Sequence, residues 1–226
     1  MTNTSNATPR RGRPRRVDRE RIIEAARALD PSTLTMQQLA LEMGVDRKTL
    51  HYHVDNRATL IRMVAADAFR EAFAQHHFTP QTDWREALRA FATITREAVI
   101  SAGAWASYVA IEKEEDLDAI RPAEAAAQAL VTAGLPENHA GRVIALLAEL
   151  SYTSARDRAL TGSGTHPQEP ELEHALEAAP EGEFALVRRL VGAHSASLGS
   201  DEQFAFDVDL IILGVERLVT EHSASH

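Results

Sequence analysis

Between Leu34 and Val54 the chain reads Leu-Thr-Met-Gln-Gln-Leu-Ala-Leu-Glu-Met-Gly-Val-Asp-Arg-Lys-Thr-Leu-His-Tyr-His-Val, and this stretch constrains the fold more than any other. Thr35 and Gln38 have the spacing of a capping box, in which the hydroxyl accepts from a helix-start N–H and the amide side chain reaches back. Met36, Leu39, Ala40 and Met43 then recur at helical spacing, so one face of a short helix is apolar. Gly44 supplies the left-handed residue that ends it. Asp46 is the next N-cap, with Val45 and Leu50 at the two positions of a hydrophobic staple. Helix, tight turn, helix is the pattern that places a short helix in the major groove of DNA.

The flanks complete a three-helix unit with an exit helix. Asp18 caps an earlier helix whose inward stripe is Ile22, Ala26 and Leu29, and Asp30-Pro31 ends it because the residue before proline is pushed out of helical geometry. Asp55-Asn56 caps a long helix that opens at Arg57 and runs through Leu60, Met63, Val64 and Ala68. Residues 17–64 therefore read as a helix-turn-helix DNA-binding domain. Arg47, Lys48 and Thr49 sit at the end of the second motif helix that meets base edges, and Arg47 suits bidentate contact with guanine O6 and N7. Thr49 suits a thymine methyl, while His51, Tyr52 and His53 are expected on bases or phosphates. Thr35, Gln37 and Arg57 are expected as phosphate clamps or peripheral readers. His51 and His53 do not form a metal pair, since positions two apart on a helix do not face each other.

The run Ala40-Leu-Glu-Met-Gly-Val-Asp-Arg-Lys-Thr-Leu-His-Tyr-His-Val-Asp-Asn-Arg57 resembles the DNA-binding head of the tetracycline-repressor family, a likeness that extends over residues 17–64. His51 stands where that family usually has tyrosine and Arg57 where it usually has lysine. Phe204-Ala-Phe-Asp-Val-Asp-Leu-Ile-Ile-Leu-Gly-Val-Glu-Arg-Leu218 is similar to the last helix of the tetracycline-repressor subgroup, which builds the dimer there. The resemblance implies an all-α fold: the N-terminal helix-turn-helix domain, then a helical ligand-binding and dimerisation domain over residues 65–226. It also implies a homodimeric repressor on a palindromic operator, released by a small-molecule inducer. Candidate lining residues are Phe73, Phe91, Ile94, Thr95, Trp105, Tyr108, Leu130, Leu146 and Leu150. Tetracycline repressors hold a metal chelate through a histidine and an asparagine, and the matching positions here fall on Phe91 and Val109. The expected inducer is thus largely apolar, aromatic or polyketide-like, with no metal and no cofactor. Regulation by a protein partner, or action as an activator, is the alternative reading.

Charge divides the chain in the same place. The whole carries a net charge of −9, yet residues up to Arg62 hold 12 Lys and Arg against 7 Asp and Glu. A basic head on an acidic body is the footprint expected when only the head meets phosphates. Residues 1–16 lack an apolar run, so neither a secretory signal nor a membrane anchor is expected. They are expected to form a disordered basic arm whose Arg13 and Arg15 flank Pro14 and suit a narrow minor groove. The absence of cysteine excludes disulfides and thiolate zinc sites. Lysine occurs only at Lys48 and Lys113, and with abundant alanine this points to a GC-rich bacterial genome and a cytoplasmic protein. No catalytic cluster, phosphate-binding glycine loop or metal-ligand spacing is visible, so an enzyme is not expected.

The body shows no strand-like alternation. Helices are expected over residues 58–77, 83–101, 104–119, 122–133, 137–160, 183–197 and 202–221, with a Gly/Pro-rich connector from Thr161 to Pro180. In the last helix Phe204, Val208, Ile211, Val215 and Leu218 form a heptad seam, beside a second stripe of Phe206, Leu210 and Leu213. A helix apolar on two faces is buried on both, and the seam is assigned to the dimer interface.

Overall fold

The structure, a computed structural model, describes residues 17–75, 83–110, 114–161, 169–180, 182–194 and 199–223. Among them the regular structure is entirely helical. Two compact units divide between Ile61 and Arg62, inside a long helix.

In the N-terminal unit α1 is Arg19–Arg27, α2 Met36–Met43 and α3 Arg47–His51, and α4, Arg57–Gln75, begins there. Every cap is made by the residue whose chemistry demands it. Asp18 Oδ1 accepts from the Arg21 N–H at 3.0 Å. Thr35 Oγ1 accepts from the Gln38 N–H at 3.1 Å while Gln38 Oε1 accepts from the Thr35 N–H at 2.9 Å, closing the capping box. Gly44 adopts φ +67°, and its N–H and that of Val45 close the end of α2. Asn56 Oδ1 accepts from the Thr59 N–H at the start of α4. Ile22, Ala26, Leu34, Leu39, Leu50 and Leu60 are buried, which fixes the inward faces of all four helices.

The C-terminal unit contains the rest of α4, then α5 (Trp84–Ala102), α6 (Arg121–Thr132), α7 (Glu137–Thr161), α8 (Glu169–Ala178), α9 (Ala185–His194) and α10 (Asp201–Ser223). Two expectations are corrected. The single helix over 104–119 is replaced by 3-10 segments at Gly103–Tyr108 and Glu114–Ile120, and the first ends where Val109 turns extended at φ −66° and ψ 132°. The connector from Thr161 to Pro180 contains α8, since Glu169-Pro170 starts a helix: proline is tolerated in a first turn, where its missing N–H has no partner to lose.

Helix directions follow from individual bonds. Ser151 on α7 reaches Ala92 on α5 and Ser154 meets Arg96, so α5 and α7 run parallel. Arg85–Glu216, Arg89–Asp209 and Arg96–Asp201 form three rungs between α5 and α10, whose numbers rise in opposite directions. α10 is also antiparallel to α7. His139 and His222 meet edge to face at 5.2 Å at one end, and Gly199 lies against the Arg158 backbone at the other. One apolar cluster joins Leu88, Phe91, Leu130, Leu147, Val208 and Ile212 with their neighbours; a second joins Phe69, Ala72, Ala98, Val99, Ala102, Ala106 and Ala155.

Candidate functional sites

Helix α3 is only five residues long and is held by its cap. Asp46 Oδ1 accepts from the Thr49 N–H at 2.8 Å and Oδ2 from the Thr49 hydroxyl at 3.0 Å. These bonds, the backbone one first, hold the Asp46 carboxyl below its ordinary range. Thr49 therefore contributes its hydroxyl to the cap and leaves its methyl for contact. Arg47, Lys48, His51, Tyr52 and His53 are exposed.

Arg47 and His51 form a relay. Arg47 Nε donates to His51 Nε2 at 3.3 Å, and His51 Nδ1 lies 3.0 Å from the Asp55 carbonyl. The two contacts require one tautomer: Nε2 accepts, and the proton on Nδ1 is donated to the carbonyl. The guanidinium is thus tied at Nε, and both Nη groups are without a partner among the described residues. They form the fork that guanine O6 and N7 would accept. Histidine in place of the family's usual tyrosine has this local geometric consequence.

Thr35 and Arg57, expected as phosphate clamps or peripheral readers, both make hydrogen bonds within the unit. The Thr35 hydroxyl is engaged in the capping box, and Thr35, Gln37 and Gln38 are all exposed. Arg57 Nε donates to the Leu34 carbonyl at 2.6 Å, and Nη2 donates to the Pro31 and Ser32 carbonyls at 2.9 and 3.0 Å. Its side chain ties the α1–α2 connection to the start of α4. The bonds span 23 to 26 residues, a separation that no local pattern reveals. Arg13 and Arg15 lie outside the described residues.

In the C-terminal unit, Phe91, Leu130 and Leu150 belong to or pack on the first apolar cluster, and Phe73 packs on the second. Phe73 also meets Phe69 edge to face at 4.8 Å. Ile94, Thr95 and Trp105 are buried and Tyr108 partly so. Leu146 is the exception: half exposed, it lies on the outer face of α7 and lines no interior space, because the helix turns Val143 and Leu147 inward instead. Thr95 Oγ1 is buried without a hydrogen-bond partner among the described residues, a situation that costs about 1–3 kcal/mol.

The feature that sequence reasoning missed is Arg96, 3% exposed. Nε donates to Ser154 Oγ at 2.9 Å, Nη1 to Asp201 Oδ1 at 2.8 Å and Nη2 to the Gly199 carbonyl at 3.0 Å. Its guanidinium also lies 4.8 Å from the Phe204 ring centre. Arg96, first among the causes, and Arg158 hold the Asp201 carboxyl below its usual range. A groove of about 260 Å³ lies beside it between α5 and α10, with Arg89, Thr93, Arg96, Phe204, Val208 and Asp209 in its wall. None of the nine residues expected around a ligand lines this groove. The only sequence signal was Arg85, Arg89 and Arg96 along one side of α5, opposite Asp201, Asp209 and Glu216. Among the described residues no three His, Cys, Asp or Glu side chains gather as a metal site, and no helix is long and apolar enough to cross a membrane.

A family model for the tetracyclin repressor-like C-terminal domain matches residues 78–219. The chain belongs to the tetracycline-repressor (TetR) family. Solved TetR-family structures share its fold. A possible TetR-family transcriptional regulator from Streptomyces coelicolor superposes with a TM-score of 0.69 at 20% identity, covering 89% of this chain and 100% of that one. ActR from the same organism, in complex with actinorhodin, also gives 0.69 at 20% identity, over 89% and 98% of the two chains. TetR from Acinetobacter baumannii gives 0.61 at 20% identity, over 90% and 99%. No curated protein matches the sequence.

For this TetR-family chain the last helix needs a correction. Phe204, Val208 and Val215 are buried in the first apolar cluster, and Ile211 and Leu218 pack on it, so the expected dimer seam faces the chain's own core. The rungs to Arg85, Arg89 and Arg96 set this rotation of α10. The opposite stripe, Phe206, Leu210 and Leu213, is more than half exposed. Sequence periodicity found both stripes but not which of them turns to the chain's own core.

Proposed function

We propose that this TetR-family regulator is a cytoplasmic homodimeric repressor of a palindromic operator, released by a small, largely apolar aromatic molecule bound in its C-terminal unit. The observation that carries the DNA reading is Arg47. A capped, exposed helix end presents its free Nη fork, with Lys48, Tyr52 and His53 exposed around it. The net positive charge of the head supports phosphate attraction. The dimer reading rests on the outward stripe of Phe206, Leu210 and Leu213, which has no partner within the chain's core clusters. Paired heads suit half-sites about 34 Å apart or multiples of that spacing. Complexes of ActR with actinorhodin, and of an Acinetobacter baumannii TetR variant with minocycline, support a ligand-responsive C-terminal unit by family analogy.

Release requires the ligand to prefer a state that binds operator poorly. A coupling of about 1–3 kcal/mol weakens operator binding roughly 5–150-fold. Arg47→Ala is the decisive variant. Competition gel shifts against operator and scrambled DNA are expected to show discrimination falling about tenfold or more at a single guanine position. Unchanged discrimination removes α3 from the reading role. A protein that no small molecule releases from DNA is instead governed by a protein partner.

A further inference from the structure

Arg47 and His51 lie four positions apart on α3 and so share one side of it. A guanidinium carries two parallel N–H pairs that can grip a base or a phosphate: Nε with one Nη, and the two Nη together. His51 Nε2 accepts from Arg47 Nε at 3.3 Å, so the first pair is occupied and only the end pair is open. The imidazole is itself held, because its Nδ1–H donates to the Asp55 carbonyl at 3.0 Å. Both side chains are exposed, so the contact adds little to stability and its weight lies in where it leaves the guanidinium. The charged and titratable groups around the ring are Lys48 and the cap Asp46 on its own helix, with His53 and Asp55 in the turn that follows. Helix α2, which packs on α3, carries Glu42 as its one titratable side chain. Arg57, at the start of α4, is turned to the Leu34, Pro31 and Ser32 carbonyls. Among the described residues the ring itself is bonded to Arg47 and to the Asp55 backbone.

We propose that His51 is a positioning residue that acts through Arg47 to confine α3 to guanine, and that protonation of His51 exchanges this base preference for phosphate attraction. The inference rests on the DNA-reading assignment of Arg47 above. With Nε held, the side pair is closed to phosphate oxygens, and the end pair is left for guanine O6 and N7. Fixing a long side chain before binding is worth about two- to tenfold in affinity for the base it suits. The state of the ring decides whether the hold exists. In the neutral imidazole the Nε2 lone pair receives the Arg47 N–H. Uptake of a proton from solvent consumes that lone pair, the bond is lost, and two cations stand side by side. The Nδ1–H keeps its bond to the Asp55 carbonyl in both states, so the ring stays in place and gains only charge. An imidazolium on this exposed side adds one positive group to those already open to phosphates, Lys48 among them. Specificity and affinity therefore move in opposite directions as pH falls through the interval in which imidazoles take up a proton.

Selection from a randomised duplex DNA pool by the full-length protein, at about pH 8 and about pH 5.5, reads both effects. At the higher pH wild type is expected to retain guanine at one position of each half-site, about tenfold over the other bases. His51→Phe and Arg47→Ala are expected to lose that preference at the same position and keep the rest of the site. The double variant is expected to do no worse than Arg47→Ala. His51→Gln offers an amide oxygen to Arg47 Nε and is expected to keep guanine at both pH values. Wild type at the lower pH is expected to select as His51→Phe does, yet to bind unrelated duplex more tightly, with a salt slope steeper by about one phosphate contact. His53 is present throughout, so its share of any pH effect is read from His51→Gln. Melting temperatures of wild type and the His51 variants are expected to coincide, which separates positioning from a structural role. Guanine kept by His51→Phe but lost by Arg47→Ala overturns the positioning role and leaves the reading of α3 intact. Loss of guanine by His51→Gln, or a wild-type preference unchanged between the two pH values, overturns it as well. If Arg47→Ala keeps guanine, or the pool yields no preferred sequence, the DNA-reading assignment fails first and the inference with it.

Discussion

Arg96→Met tests the energetics of the C-terminal unit most sharply. The substitution keeps an unbranched apolar stem and removes a guanidinium that is 3% exposed. The Ser154 hydroxyl and the Gly199 carbonyl both lose a charged donor. A hydrogen bond to a charged group contributes about 1.5–3 kcal/mol, so these two account for about 3–6 kcal/mol. Asp201 is 72% exposed and returns to water, so its share is discounted to about 0–1 kcal/mol. The contact over Phe204 adds about 0.5–1 kcal/mol. Taken together the loss is about 3.5–8 kcal/mol. Urea unfolding at fixed protein concentration reads it directly through tryptophan emission, because Trp84 and Trp105 are both buried in this unit. Arg89→Met supplies the contrast on the same helix: its partner Asp209 is exposed, and the loss is expected below about 1 kcal/mol. The sign with pH follows from Asp201. Its carboxyl titrates below the ordinary 3.8, so its contribution is complete above that value and disappears as pH falls through the lowered one. Arg96→Met is expected to shrink this acid-dependent increment. A loss for Arg96→Met no larger than that for Arg89→Met would refute the argument that burial, rather than charge pairing, gives this residue its weight.

Arg57→Lys preserves charge but cannot reach three carbonyls in a fixed fork. It is expected to destabilise the head by about 1–3 kcal/mol and to leave the salt slope of DNA binding unchanged; a slope reduced by about one contact would return Arg57 to the phosphates. Leu210→Glu places a charge on the outward stripe of α10, so light scattering is expected to report monomer and gel shifts to report lost operator binding. Retained dimer would move the interface elsewhere. Gly199→Ala would put Cβ 2.7 Å from the Arg158 backbone nitrogen at φ +77°, and a melting temperature lowered by several degrees is expected. Asp46→Ala removes the cap of α3 and is expected to cost about 1 kcal/mol in urea unfolding of the head.

The N-terminal unit was legible because its chemistry is local. A capping box spans three residues, a glycine terminator one, and the inward stripe repeats every three or four, so Thr35, Gln38, Gly44 and Asp46 could be placed without knowing what they pack against. The helices of the body were legible for the same reason, apart from the stretch that Val109 interrupts and the short α8. Which face of α10 turns inward was not local. Its two apolar stripes are equivalent until Glu216, Asp209 and Asp201 meet arginines more than a hundred positions earlier. Arg57 read as a DNA-facing cation and Arg96 carried no reading at all, and only packing turned one toward carbonyls and enclosed the other. Periodicity states that a residue shares a face with its neighbours; the partner across that face is chosen by the tertiary structure, through contacts that no window of sequence contains.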